Sequence, residues 1–134
     1  MHTATLIVTR SAEMDTETSR PMHITRDGEL LTVELGDRLG MENRHLLKEA
    51  VAGALDGGVR RVCVRFPHAH PATFVESSGW GVLVSLTRRA RECGARLELS
   101  CVDPANLGYL RQIRLDEFFQ FADEPGQVRE CVSA

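Results

Sequence analysis

The stretch Thr73-Phe74-Val75-Glu76-Ser77-Ser78-Gly79-Trp80-Gly81-Val82-Leu83 decides how this chain folds. Its first three residues are β-branched or aromatic and favour a strand. From Gly79 onward the apolar residues take helical spacing, with Val82, Leu83, Leu86 and Ala90 on one face. A strand therefore ends and a helix begins within a few residues, and two hydroxyls stand at the junction. Ser77 or Ser78 occupies the place of an N-cap, whose oxygen accepts a bond from an otherwise unpaired amide of the first turn. Taken alone, that junction asks for nothing more than a cap.

The flanking sequence extends the pattern. Residues 59–66 are nearly continuous β-branched and apolar after two arginines, as expected of an interior strand. Leu97-Glu98-Leu99-Ser100-Cys101 follows the helix, so strand, helix and strand form a βαβ unit with parallel strands. Upstream, Leu47, Ala50, Val51 and Ala54 make the apolar stripe of a helix over residues 42–55, which Gly57-Gly58 ends. Residues 23–25 and 30–35 flank Asp27-Gly28, a dipeptide suited to a tight hairpin. Gly94 closes the helix that begins at the serines, and the arginines at 88, 89 and 91 suit the negative pole of its dipole.

Downstream, Asp103 caps a helix that opens on Pro104, with Leu107, Leu110 and Ile113 facing inward. Phe118, Phe119 and Phe121 form a short strand, and residues 124–132 a last helix. Residues 11–20 are polar and lack either period, so residues 1–20 read as an arm in which residues 3–8 either add an edge strand or stay loose. The compact domain spans residues 21–134: a single α/β domain, a mixed sheet of about four to five strands with about four helices packed on it.

Bulk composition narrows the function. A chain of 134 residues with 43% hydrophobic and 26% charged residues is one ordinary globular domain. Its net charge of −3 supplies no general basic surface, which argues against nucleic acid as a partner. No apolar stretch is long enough to span a bilayer, and residues 5–8 are too short for a signal-peptide core, so a cytoplasmic protein is expected. Cys63, Cys93, Cys101 and Cys131 form no CxxC pair, so reduced thiols are expected, with neither a zinc site nor a disulfide.

Glu76-Ser77-Ser78-Gly79-Trp80-Gly81 resembles the Asp-Ser-Ser-Gly-Leu-Gly signature of STAS domains, specifically the bacterial anti-sigma factor antagonists. The element order fits over about residues 22–132: Val33-Glu34-Leu35-Gly36 is similar to that family's second strand and Gly turn. Val62-Cys63-Val64-Arg65-Phe66 is similar to the strand before its phosphorylation loop, and residues 97–104 to its next strand and helix opening. The resemblance implies a non-enzymatic partner-switching regulator that binds an anti-sigma factor with serine kinase activity, is phosphorylated on Ser77 and is reset by a phosphatase. It implies that Glu76 holds the loop or orients the hydroxyl, that Ser78 is the cap, and that Gly79 allows a partner backbone to approach. Trp80 stands where the family has Leu and is either a partner anchor or a packed core residue. In the family a Gly-x-Leu-Asp turn contributes to the partner surface; here the equivalent is Gly36-Asp37-Arg38-Leu39, with the acid displaced. The loop of residues 67–72 is longer than is usual there. No cofactor and no metal are implied.

A phosphate on Ser77 would add roughly −1.5 to −2 charges. The amides and dipole of a helix N-terminus tolerate such an anion, whereas a partner pressed against it meets like charge costing several kcal/mol. Rival chemistries are weaker. A serine hydrolase needs a Gly-x-Ser-x-Gly elbow, which is absent, although His68 or His70 could stand across the loop. Those two histidines are also too few for a metal site. Gly79-Trp80-Gly81 lacks the third glycine of a dinucleotide fingerprint, and there is no Walker sequence. The alternative within the same fold is a STAS scaffold, unphosphorylated, in a signalling assembly or a lipid-transport ABC system.

Overall fold

The computed structural model describes residues 3–8, 20–69 and 71–123, the first of these segments by its backbone. The strands are β1 (Thr3–Val8), β2 (Met22–Asp27), β3 (Leu30–Glu34), β4 (Arg38–Leu39), β5 (Arg61–Arg65), β6 (Phe74–Val75), β7 (Arg96–Ser100) and β8 (Gln120–Phe121). Three helices are described, α1 (Arg44–Asp56), α2 (Ser77–Glu92) and α3 (Pro104–Gln112); the last helix expected from the sequence, at residues 124–132, lies outside the described residues. Six strands form one mixed sheet in the order β1-β2-β3-β5-β7-β8, one strand wider than expected because β1 pairs antiparallel with β2. β4 and β6 form a separate parallel pair.

The hairpin falls where the glycine puts it. Asp27 pairs with Leu30, and Gly28, at φ +65°, takes the first of two central turn positions. From there β3, β5 and β7 run parallel. Leu31, Val62 and Leu97 lie in one row across them and Val33, Val64 and Leu99 in the next, all buried. Those rows meet Leu47, Val51 and Leu55 of α1 and Val82, Leu83, Leu86 and Ala90 of α2 in one core. The central strand is not apolar throughout, as its composition suggested. Cys63 sits between the buried valines on the other face, in register with Thr32 and Glu98. That face is held by charge instead: buried Glu98 takes Arg61 at 2.9 Å and Arg96 at 3.2 Å.

Asp103 caps α3 as expected, accepting from the Asn106 amide at 3.1 Å. Leu107 and Leu110 are buried, but Ile113 sits past the last turn and is exposed. The expectation of reduced thiols fails at Cys101. It is disulfide-bonded, while Cys63 and Cys93 are free. Cys101 stands just beyond β7, at φ +62°, and is buried at 6% exposure.

Candidate functional site: the head of α2

The parallel strands β3 and β5 both run toward the same end of the sheet, so the segments that follow them meet there. This is where ligands and partners are met in open α/β sheets. Residues 36–40 and 71–76 are tied together by backbone and side-chain bonds. The Thr73 hydroxyl, buried, donates to the Gly36 carbonyl at 2.7 Å. The Phe74 amide donates to Asp37 O and the Glu76 amide to Leu39 O, each at 2.9 Å. Asn106 of α3 donates to Thr73 O at 3.0 Å. The β4–β6 pair is thus a clamp that fixes the entry of α2.

Neither serine is the cap. Glu76 is the N-cap residue, extended at φ −77° and ψ 167°, and its carbonyl takes the Gly79 and Trp80 amides. Ser77 and Ser78 are the first two helical residues. Ser77 is exposed. The Ser78 hydroxyl is buried and finds no hydrogen-bond partner among the described residues. The Glu76 side chain reaches across instead of capping: its Oε1 accepts from the Met41 amide at 3.2 Å. It lies so close over Gly40 that a Cβ there would collide with the carboxylate. The Glu76 carboxylate thus reaches the turn before α1.

Of the residues expected to meet a partner, three lie under the surface. Leu39 is fully buried, and Gly79 packs so tightly on the Leu39 carbonyl that it has no face to offer. Trp80 is 3% exposed. Its ring stacks between Phe66 at 6.2 Å and Tyr109 at 6.1 Å, with Phe119 tilted against it. Of its two sequence readings the core one holds, because Phe66, Tyr109 and Phe119 close around the indole. Asp37 is half-exposed but engaged, binding Arg20 Nε at 2.6 Å and the Arg20 amide at 2.8 Å. Arg38 remains on the surface.

The structure adds two residues that the sequence reading passed over. Phe74 is 57% exposed and Met41 64% exposed, large apolar side chains turned to solvent; Phe74 lies three residues before Ser77, and the Met41 amide is held by Glu76. Arg38 lies over the Phe74 ring at 5.7 Å. A signal for Phe74 existed: Thr73 and Val75 are buried, so period-two alternation turns the residue between them outward. Among the described residues, no three His, Cys, Asp or Glu side chains gather as a metal site, and no helix is long and apolar enough to cross a membrane. His70, one of the two loop histidines, lies outside the described residues.

The family model described as "Mlab, STAS domain" matches residues 22–121. The chain belongs to the STAS family. Solved STAS structures share its fold. The NMR structure of TM1081 superposes with a TM-score of 0.65 at 19% identity, covering 75% of this chain and 78% of that one. The crystal structure of the same protein, a putative anti-sigma factor antagonist from Thermotoga maritima, gives 0.61 at 19% identity, with 79% and 87% covered. The unphosphorylated form of the anti-sigma factor antagonist SpoIIAA gives 0.60 at 16% identity, with 90% of each chain covered. Phosphorylated SpoIIAA, described as a Bacillus cell fate determinant, gives 0.55 at 15% identity, with 90% and 93% covered. No curated protein sequence matches significantly. As a STAS domain with this likeness, the chain has the architecture of the anti-sigma factor antagonists.

Proposed function

We propose that this STAS domain is an anti-sigma factor antagonist that binds an anti-sigma factor with serine kinase activity and is released when that kinase phosphorylates Ser77. The observation that carries the reading is the exposed Ser77 hydroxyl at the head of α2, together with the exposed Phe74 and Met41. A phosphate there faces first-turn amides and the positive pole of the dipole, so the domain keeps its fold. The partner's packed surface over Phe74 and Met41 meets the new charge next to the Glu76 carboxylate. A penalty of about 3 kcal/mol is more than a hundredfold in affinity. The switch acts on binding and requires no refolding. We assign the domain no catalysis of its own; a phosphatase would reset it.

Capture from native lysate with unmodified protein, Ser77→Ala and Ser77→Glu tests this. An ATP-dependent kinase retained by the first two baits, lost from the third and placing phosphate on Ser77 by mass spectrometry bears the reading out. One non-kinase partner held equally by all three overturns it. That outcome would favour the second reading, an unphosphorylated STAS subunit of a signalling assembly or lipid-transport ABC system.

A further inference from the structure

The outward sides of α1 and α2 leave a groove between them. One end, a cleft of about 350 Å³, is lined by Arg44, His45 and Lys48 of α1 and by Ser78, Gly81 and Ser85 of α2, among others. A second cleft of about 500 Å³ continues it, sharing Lys48, Gly81 and Ser85 and adding Ala52, Arg88 and Arg89. The charge is one-sided. Four side chains carry fixed positive charge against one lining carboxylate, Glu92, in a chain whose net charge is −3. Arg89 reaches Asp56 at 3.5 Å; Arg44, Lys48 and Arg88 form no ion pair with a described residue, and Arg88 lies over the Phe118 ring at 6.0 Å. Gly81 has open space above it, and Ser85 and Ala52 are small, so the floor is low. At one end the buried Ser78 hydroxyl has no partner among the described residues.

We propose that this groove docks an acidic α-helix of a partner protein. The lining runs along α2 from Ser78 to Glu92, roughly 20 Å at the helical rise, with Arg44 and Lys48 on α1 and Arg88 and Arg89 on α2, so the cations do not all come from one helix turn. A long, repeating anion fits that spread better than a single phosphate. An extended segment lying between two helices would leave its own amides and carbonyls unpaired, while a helix satisfies its own. The low floor lets such a helix approach closely, its carboxylates reaching Arg44, Lys48 and Arg88. The groove begins at Ser78, next to Ser77, and runs away from it along α2; the proposal does not require Ser77 to be modified.

The test uses a stapled helical peptide of about 14 residues with Glu at i, i+4, i+7 and i+11, titrated into ¹⁵N-labelled full-length protein and followed by amide shifts. Saturable shifts confined to the facing sides of α1 and α2 are expected, weaker by about tenfold in Lys48→Glu/Arg88→Glu, since two exposed attractions become repulsions. Gly81→Leu, which fills the floor at an open helical position without changing charge, should also weaken binding. Ser77→Ala should leave it unchanged, which separates this proposal from the switch. The same peptide with Lys for Glu should give no shifts. Absence of saturable shifts, shifts elsewhere, or shifts that survive charge reversal overturn the proposal. So does displacement of the peptide by inorganic phosphate or by phosphatidylglycerol vesicles acting on the same amides.

Discussion

Two glycines two residues apart in α2, on different sides of the helix, should respond to alanine in opposite directions. At Gly81 a Cβ meets nothing within 4 Å. Gly81→Ala then gains helix propensity alone, and should stabilise the domain by about 0.5–1 kcal/mol. At Gly79 the same Cβ collides with the Leu39 carbonyl oxygen and lies 3.0 Å from both its carbon and the Leu39 Cγ. The obstacle is a peptide group, and that peptide also receives the Glu76 amide at 2.9 Å. It cannot rotate away like the end of a side chain. Relief requires lifting the first turn of α2 off β4, which strains the β4–β6 pair and the Trp80 stack beneath it. Overpacking of this kind costs about 1–3 kcal/mol, which outweighs the propensity gain. The net expectation for Gly79→Ala is a loss of about 1–2 kcal/mol, and a gap of about 2 kcal/mol between the two alanine variants. For a chain of this length that gap is roughly 5–10 °C in Tm. Thermal and urea unfolding followed by far-UV circular dichroism measure it directly. Equal melting temperatures for the two variants, or a Gly79→Ala protein more stable than the parent, would refute the close approach of α2 to β4.

Other perturbations address separate parts of the structure. Trp80→Ala empties the space between Phe66 and Tyr109 and should cost about 3–5 kcal/mol in urea unfolding, with Trp80→Phe recovering much of it. Phe74→Ala with Met41→Ala should leave the melting temperature nearly unchanged, while partner affinity measured by calorimetry falls at least about tenfold, since exposed apolar anchors contribute to binding and little to folding. Asp37→Ala breaks a half-exposed pair with Arg20 and should cost about 1 kcal/mol or less, a difference that shrinks at high salt. Burial pushes the Cys63 thiol above 9.0, against the lowering effect of Arg61. Its folded value is therefore raised, so the stability linked to it is complete below the unfolded thiol range and is lost as pH rises through the folded value. Cys63→Ser should flatten that alkaline limb, and iodoacetamide at pH 8 should label exposed Cys93 well before Cys63.

The elements of this fold were legible because each rests on local rules. The period of Val82, Leu83, Leu86 and Ala90 marks the buried face of α2, Asp103-Pro104 opens α3, and Gly28, Gly58 and Gly94 stand where φ is positive. Glu76-Ser77-Ser78-Gly79 marked the head of α2, so the family and the location of its candidate site could be read without coordinates. The roles within that site could not. A serine pair before an apolar period looks like a cap, yet β4 holds the Glu76 amide and shifts the helix start by one residue, leaving Ser77 outside and the Ser78 hydroxyl buried.

Trp80 and Leu39 were surface candidates because the family resemblance places them next to its loop and in its partner turn. Trp80 is buried by Phe66, Tyr109 and Phe119, which come from three distant segments, and the Leu39 backbone packs on Gly79. Phe74 and Met41 are exposed because no described residue buries them. The sequence by itself determined which segments are helix or strand and where the family's motif lies, since backbone preference and apolar period act over a few neighbouring residues. Only the tertiary structure decided which side chains face a partner and where a basic groove runs between α1 and α2, because exposure and local field depend on what long-range packing brings alongside.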